Sequence, residues 1–210
     1  YKPESNSIGS GQVLKEPYTF EKGRLIVWEM TDILVLDLVE KHLMTDQIVL
    51  YIGYDIDNLK RNMEGKTFTG EITTDYYGRN VPKPVHGSVN LNGYTSSTKD
   101  IIDAVLELYD RLVDHDLYIR RVTVTANHVL DEQAALRTRQ YEQLDLFTDY
   151  EQLKKKEEEE KERLNREKNI QHAVIDIKKK FGKNAILKGT NFIEGAMTRE
   201  RNSQIGGHRS

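Results

Sequence analysis

The feature that most constrains this chain is a two-residue periodicity that recurs through its first 130 residues. From Val85 to Leu91 it is strict. Val85, Val89 and Leu91 fall on one side, and His86, Ser88 and Asn90 on the other. Ile48, Leu50 and Ile52 repeat the pattern within Gln47–Asp57. Val122 and Val124 repeat it within Tyr118–Val129, with Arg121, Thr123 and Thr125 on the opposite side. Successive side chains of a strand point to opposite faces, so these segments fit a sheet with one apolar and one polar face. A shorter candidate, Ser7–Leu14, has Ile8 and Leu14 with small residues between them. Gly9 and Gly11 there indicate a bulge or the close approach of another backbone.

Two segments carry the helical period instead. Leu25–Met44 is apolar over a wide arc, with Glu29, Asp32 and Glu40 marking a narrow polar stripe. Thr95–Val113 presents Ile101, Val105, Leu108, Tyr109 and Leu112 on one face. Ser97 is its cap and Asp100 the capping-box partner. Between the second and third strands runs a long polar connection, Asn58–Pro84, within which Phe68–Thr74 is a further short strand candidate. The order strand, helix, strand, strand, helix, strand predicts an α+β fold: about four mainly antiparallel strands with two helices on one face, and a polar, open face opposite.

Charge and composition change near Leu130. Residues 1–130 hold 14 basic and 19 acidic side chains, and the remaining 80 hold 17 and 15. Three regions follow: a domain over 1–130, a linker over 131–149, and a charged helix and tail over 150–210. The tail helix, Tyr150–Lys180, has high helix propensity, Glu157–Lys161-type pairs and an apolar stripe of Ile170, Val174, Ile177 and Phe181. Asn184–Ser210 lacks periodicity and reads as an irregular or disordered end, so the tail as a whole is expected to be partly helical or disordered. The chain opens Tyr1-Lys2-Pro3 rather than on Met, which reads as a piece of a longer protein. No run of ~18 apolar residues is present, and the absence of cysteine fits a cytoplasmic location while excluding thiol chemistry.

Catalytic patterns are scarce. No phosphate-binding glycine loop and no nucleophilic triad context appears, and the six histidines never pair at metal-binding spacing. Asp55 and Asp57 share a side at strand spacing, which reads either as a solvated strand end or as a Mg²⁺-binding pair. The polar sheet face is richer. Ser88, Asn90, Arg121 and Thr123, with Ser10 or Gln12, and Arg120 at the edge, suit phosphate oxygens, which position a protein on nucleic acid without reading sequence. They also suit an ordinary solvated face, and the net negative charge of 1–130 favours nucleic acid only if a local positive stripe exists. Gln143-Leu144-Asp145-Leu146-Phe147 is the sharpest signal, a polar anchor followed by apolar side chains at +1, +3 and +4 outside any evident core. Burying a Leu or Phe contributes ~1.5–3 kcal/mol, so this segment either docks on a partner with micromolar affinity, about −8 kcal/mol, or staples back onto the domain.

Several of these segments resemble one family. Ser7-Ile8-Gly9-Ser10-Gly11-Gln12, His86-Gly87-Ser88-Val89-Asn90-Leu91 and Ile119-Arg120-Arg121-Val122-Thr123-Val124 resemble the little-finger domain of Y-family (UmuC/DinB-like) translesion DNA polymerases. Gln143–Phe147 resembles the family's sliding-clamp-binding pentapeptide. The ending, from Lys188-Gly189-Thr190-Asn191 to Gly206-Gly207-His208, is similar to the C-terminal signature of the Gram-positive subgroup. The resemblance implies a little-finger-like fold that grips primer-template duplex in a sequence-tolerant way during lesion bypass, DNA repair and the SOS response. It implies DNA contacts from Ser7, Gly9, Ser10, Gly11, Gln12, Ser88, Asn90, Arg120 and Arg121, and a bacterial sliding clamp bound by Gln143, Leu144, Leu146 and Phe147. The palm that holds catalytic Mg²⁺ in that family has no counterpart in the chain. No cofactor, no metal site, no catalytic residue and no membrane partner is therefore expected, although the full-length parent would be a DNA-directed DNA polymerase. The rival readings are a non-enzymatic module that dimerises or binds a partner through its tail helix, and a nuclease using Asp55 and Asp57.

Overall fold

A computed structural model describes residues 6–60, 68–138 and 150–203. Strand β1 (Ile8–Tyr18) leads into helix α1 (Phe20–Glu40), which returns to β2 (Leu43–Tyr54). A short helix, α2 (Asp57–Lys60), and a hairpin of β3 (Ile72–Thr74) and β4 (Asn80–Pro82) precede β5 (Val85–Thr95). Helix α3 (Thr98–Leu112) then leads to β6 (Ile119–Asn127), followed by β7 (Leu130–Asp131), α4 (Glu132–Thr138), the long α5 (Tyr150–Phe181) and α6 (Thr198–Asn202). The main sheet runs β1-β6-β2-β5 with every pairing antiparallel, and β7 adds to the start of β2. The α+β architecture expected from the alternating strands is therefore present.

Strand parity places the core. Ile48, Leu50, Ile52, Val122, Val124 and Ala126 are fully buried on one face, against Ile26, Val27, Met30 and Leu38 of α1 and Ile101, Val105, Leu108 and Tyr109 of α3. The two helices meet closely at Gly23, where a Cβ would stand 2.7 Å from the Tyr109 hydroxyl. That hydroxyl donates to the Phe20 carbonyl at 2.7 Å, and burial pushes its pKa up. Ile119 and Val122 are both buried although three residues apart. The sheet accommodates this with register shifts between Val13 and Tyr18 and between Gly53 and Tyr54. The irregularity turns both Arg120 and Arg121 away from the core.

Four local expectations are corrected. Helix α1 ends four residues before Met44, because His42 takes a left-handed conformation (φ 56°) and Leu43 and Met44 pair with β7 instead. The capping box at α3 is half formed: the Ser97 hydroxyl accepts from the Asp100 N–H at 3.2 Å, but the Asp100 carboxylate is engaged by Arg163 at 2.9 Å. In the tail helix Ile170 and Phe181 are exposed, while Gln171 and Ile175 are buried. The docking face is thus partly polar. Glu167 accepts from the Ser97 hydroxyl (2.8 Å) and the Lys99 N–H (3.1 Å), and Gln171 donates to the Ser96 carbonyl and the Thr98 hydroxyl at 2.9 Å each. These groups tie α5 to the N-terminus of α3, where backbone donors lack intrahelical partners.

The fourth correction concerns the end of the chain. Residues 183–203 form a packed strap across the helical side, with Met197 in the same buried cluster as the sheet core. Its seat is the polar stripe of α1. Glu29 is 3% exposed and accepts from Asn191 Nδ2 (2.8 Å), the Met197 N–H (2.7 Å) and the Thr198 N–H (3.2 Å). Asp32 accepts from Lys188 Nζ at 2.6 Å, and that ammonium also lies 5.1 Å from the centre of the Trp28 ring. A buried carboxylate is tolerated when hydrogen-bond donors replace its water, and here the strap supplies them.

Candidate nucleic-acid interface

The face opposite the helices is assembled from four strands by register alone. Gly9, Gly11 and Val13 of β1 lie opposite Thr125, Thr123 and Arg121 of β6. Gln47, Val49 and Tyr51 of β2 lie between these and Asn90, Ser88 and His86 of β5. None of these residues is buried. None is a carboxylate, although residues 1–130 carry an excess of acid. The surface is thus hydroxyl, amide, aromatic and guanidinium with two valines, Val13 and Val49, and exposed backbone where the two glycines stand.

Several of these groups are held in place by neighbours. Gln47 Nε2 donates to Asn90 Oδ1 at 2.9 Å, and Asn127 Nδ2 donates to Gln47 Oε1 at 3.0 Å, so one amide chain crosses three strands. The Arg121 guanidinium lies 6.0 Å from the centre of the Tyr51 ring and makes no ion pair with a described residue. Arg120 differs. Its Nη1 donates to the Lys15 carbonyl at 3.0 Å and its Nε lies 3.6 Å from Asp55 Oδ2, so much of its donor capacity is used within the fold. The glycines on β1 leave room for the threonines opposite: a Cβ at Gly9 would stand 2.7 Å from Thr125 Oγ1, and one at Gly11 3.1 Å from Thr123 Oγ1.

The structure divides the sequence candidates between two faces. Gly9, Gly11, Ser88, Asn90 and Arg121 share the open face, with Arg120 at its edge and exposed Ser7 just before β1. Ser10 and Gln12 do not line it. They are paired with Val124 and Val122, on the helical side, where Ser10 Oγ accepts from Arg201 and Gln12 Nε2 lies 3.1 Å from Met197 Sδ. The parity was visible: Ile8 and Leu14 are apolar at even positions, and even spacing places Ser10 and Gln12 with them. Gln47, Tyr51 and Asn127, which the sequence reading did not select, belong to the face through their cross-strand partners. Gln143, Leu144, Leu146 and Phe147 lie outside the described residues.

The carboxylates considered for metal binding serve the chain. Asp55 is 5% exposed and its Oδ1 accepts from the Asp57 N–H at 2.8 Å, while Asp57 pairs with Lys60 at 3.1 Å. Among the described residues no three His, Asp or Glu side chains gather as a metal site, and no helix is long and apolar enough to cross a membrane.

A family model described as the impB/mucB/samB family C-terminal domain matches residues 5–146. The chain belongs to this family. The match spans the whole sheet, α1 and α3, and stops before α5, so the long helix and the strap lie beyond it. No curated protein matches the chain. Among solved structures, a chain from a "complex of beta-clamp processivity factor and little finger domain of PolIV" is similar at 12% identity and a TM-score of 0.36, covering 68% of this chain and all of that one. The Y-family resemblance of the strand motifs and the family model agree.

Proposed function

We propose that the open sheet face holds the sugar-phosphate backbone of a primer-template duplex, as the DNA-gripping part of a translesion polymerase. The observation that supports this most is that the outward residues paired across positions 9–13, 121–125, 47–51 and 86–90 include no carboxylate, in an otherwise acidic domain. Hydroxyls, amides and one guanidinium without an acidic partner among the described residues provide donors for phosphate oxygens, and Gly9 and Gly11 let a phosphate approach the backbone of an edge strand. None of these groups is arranged to select among bases, so binding is sequence-tolerant. Titrating a duplex across salt concentrations tests the reading. The logarithm of affinity should fall by about 0.9 per phosphate contact for each log unit of salt, equally for scrambled sequences. A flat salt response would remove it.

Gln143–Phe147 is proposed as a sliding-clamp peptide, on the strength of its polar anchor and three apolar side chains at fixed spacing. Tethering of this kind raises the local concentration of the DNA-binding face at the primer end. Capture on an immobilised bacterial clamp should be lost on combining Leu146→Ala with Phe147→Ala; retained capture would overturn the assignment. The exposed Ile170 and Phe181 of α5 favour a second reading, self-association through the tail helix. Sedimentation of the full chain as a dimer, reverted by Ile170→Glu, would support it.

A further inference from the structure

The β3–β4 hairpin presents two aromatic side chains that the fold does not use. Tyr76 is 96% and Tyr77 78% exposed at its tip, and their rings meet edge to face with centres 5.4 Å apart. The turn that carries them is tightly organised. Asp75 Oδ1 accepts from the N–H groups of Tyr77 and Arg79 at 2.9 Å each, its Oδ2 accepts from Arg79 Nε at 2.8 Å, and Gly78 supplies the left-handed residue (φ 77°). These hydrogen bonds hold the Asp75 carboxyl below its usual range. Leaving two tyrosines in water gains nothing for folding, and a rigid turn lowers the ordering cost when something binds them.

The hairpin also overhangs the open face. Between them lies a groove of about 750 Å³, lined by Tyr76, Tyr77 and Arg79 from the hairpin and by Tyr51, His86 and Arg121 from the sheet; its carboxylates, Asp55, Asp57 and Asp75, are paired with Arg120, Lys60 and Arg79. Arg79 sits 5.2 Å from the centre of the Tyr77 ring, and Arg121 stands over Tyr51 on the other wall. Aromatic surfaces interleaved with guanidinium groups suit unpaired nucleotides: every base offers a π-face, and the cations track the backbone. A paired base has both faces stacked already, so the hairpin offers it nothing.

We propose that this groove receives unpaired nucleotides of a DNA strand, with Tyr76 and Tyr77 as the stacking surfaces. The proposal rests on the reading of the sheet as a duplex-binding face, which the groove continues. It makes the hairpin a sensor of the junction where duplex gives way to single strand.

Fluorescence anisotropy of the full chain with three probes tests this: a blunt duplex, the same duplex with an oligothymidylate overhang, and the oligothymidylate alone. The overhang should tighten binding about tenfold, the order expected for stacking one or two bases. Tyr76→Ala with Tyr77→Ala should abolish that gain and leave blunt-duplex affinity unchanged, whereas the corresponding Phe pair keeps it. Equal affinity for blunt and overhung duplexes, or a gain that survives the alanine pair, overturns the proposal and returns the tip to a protein partner. Should the blunt duplex itself fail to bind, the sheet reading fails. Tyrosine-dependent capture of the oligothymidylate alone would then still uphold the groove, and its absence would overturn it.

Discussion

The two faces of the sheet are made by the same strands, yet they are finished in opposite ways. On the helical side the buried or half-buried polar groups that β1 and α1 turn toward the strap have internal partners among the described residues. Ser10 has Arg201, Glu29 has Asn191 and two backbone donors, and Asp32 has Lys188. On the outer side Arg121 has no acidic partner among the described residues, Ser88 and Asn90 are exposed, and β1 offers bare glycine backbone. A fold that satisfies its polar groups so thoroughly on one side could have done so on the other. Partnered polar groups support stability, and unpartnered donors facing water are available for a ligand.

That contrast can be broken most forcefully at Glu29. Glu29→Ala leaves the Met197 and Thr198 N–H groups without an acceptor and the Asn191 amide with only the Thr198 hydroxyl, and should lower the unfolding free energy by about 3 kcal/mol in urea denaturation. Duplex affinity, measured where the variant is folded, should not change; a loss of affinity would mean that the two faces are coupled. Arg121→Ala is the converse experiment. It should change unfolding free energy by less than about 0.5 kcal/mol and reduce the salt slope of duplex binding by about 0.9. Arg120→Ala should reduce that slope less, since Asp55 and the Lys15 carbonyl already occupy its guanidinium.

The paired serines sharpen the comparison further. Ser10→Ala should cost about 1 kcal/mol of stability, by removing the acceptor for Arg201, and leave DNA binding intact. Ser88→Ala should leave stability intact and weaken DNA binding slightly. Matching effects at the two sites would erase the distinction between faces. The smallest expected effect is acid loosening of the strap at its exposed margin. The Lys22 ammonium holds the Glu194 carboxyl below its ordinary pKa. A carboxyl depressed by folding contributes stability above its unfolded pKa and loses that contribution as pH falls through the folded value. Protection factors of the amides in 194–198 should therefore fall at acid pH, and Glu194→Gln should flatten that fall.

Much of this arrangement was legible in the residues. The alternation of Val85–Leu91 and of Val122–Thr125 placed their side chains on the faces they occupy, and the arc of α3 gave its buried side. Three things were not read correctly, each for a physical reason. Glu29 and Asp32 look like a solvent stripe because a hydropathy pattern cannot show donors arriving from 162 and 156 residues away in sequence. The docking face of α5 was missed because Gln171 and Glu167 are held by hydrogen bonds rather than by apolar burial. Ser10 and Gln12 were assigned by composition when the parity set by Ile8 and Leu14 should have ruled.

The return of α5 to the body of the domain has a mechanical consequence. Residues 139–149, which include Gln143–Phe147, are flanked by α4, with Ala135 buried, and by α5, with Ile175 buried. The elements on both sides of that stretch are thus docked on the same domain. Tension applied there divides between two moorings, and one of them grips the start of α3 through Arg163, Glu167 and Gln171. A load shared in this way must shear several contacts together rather than peel one end of the chain from the fold.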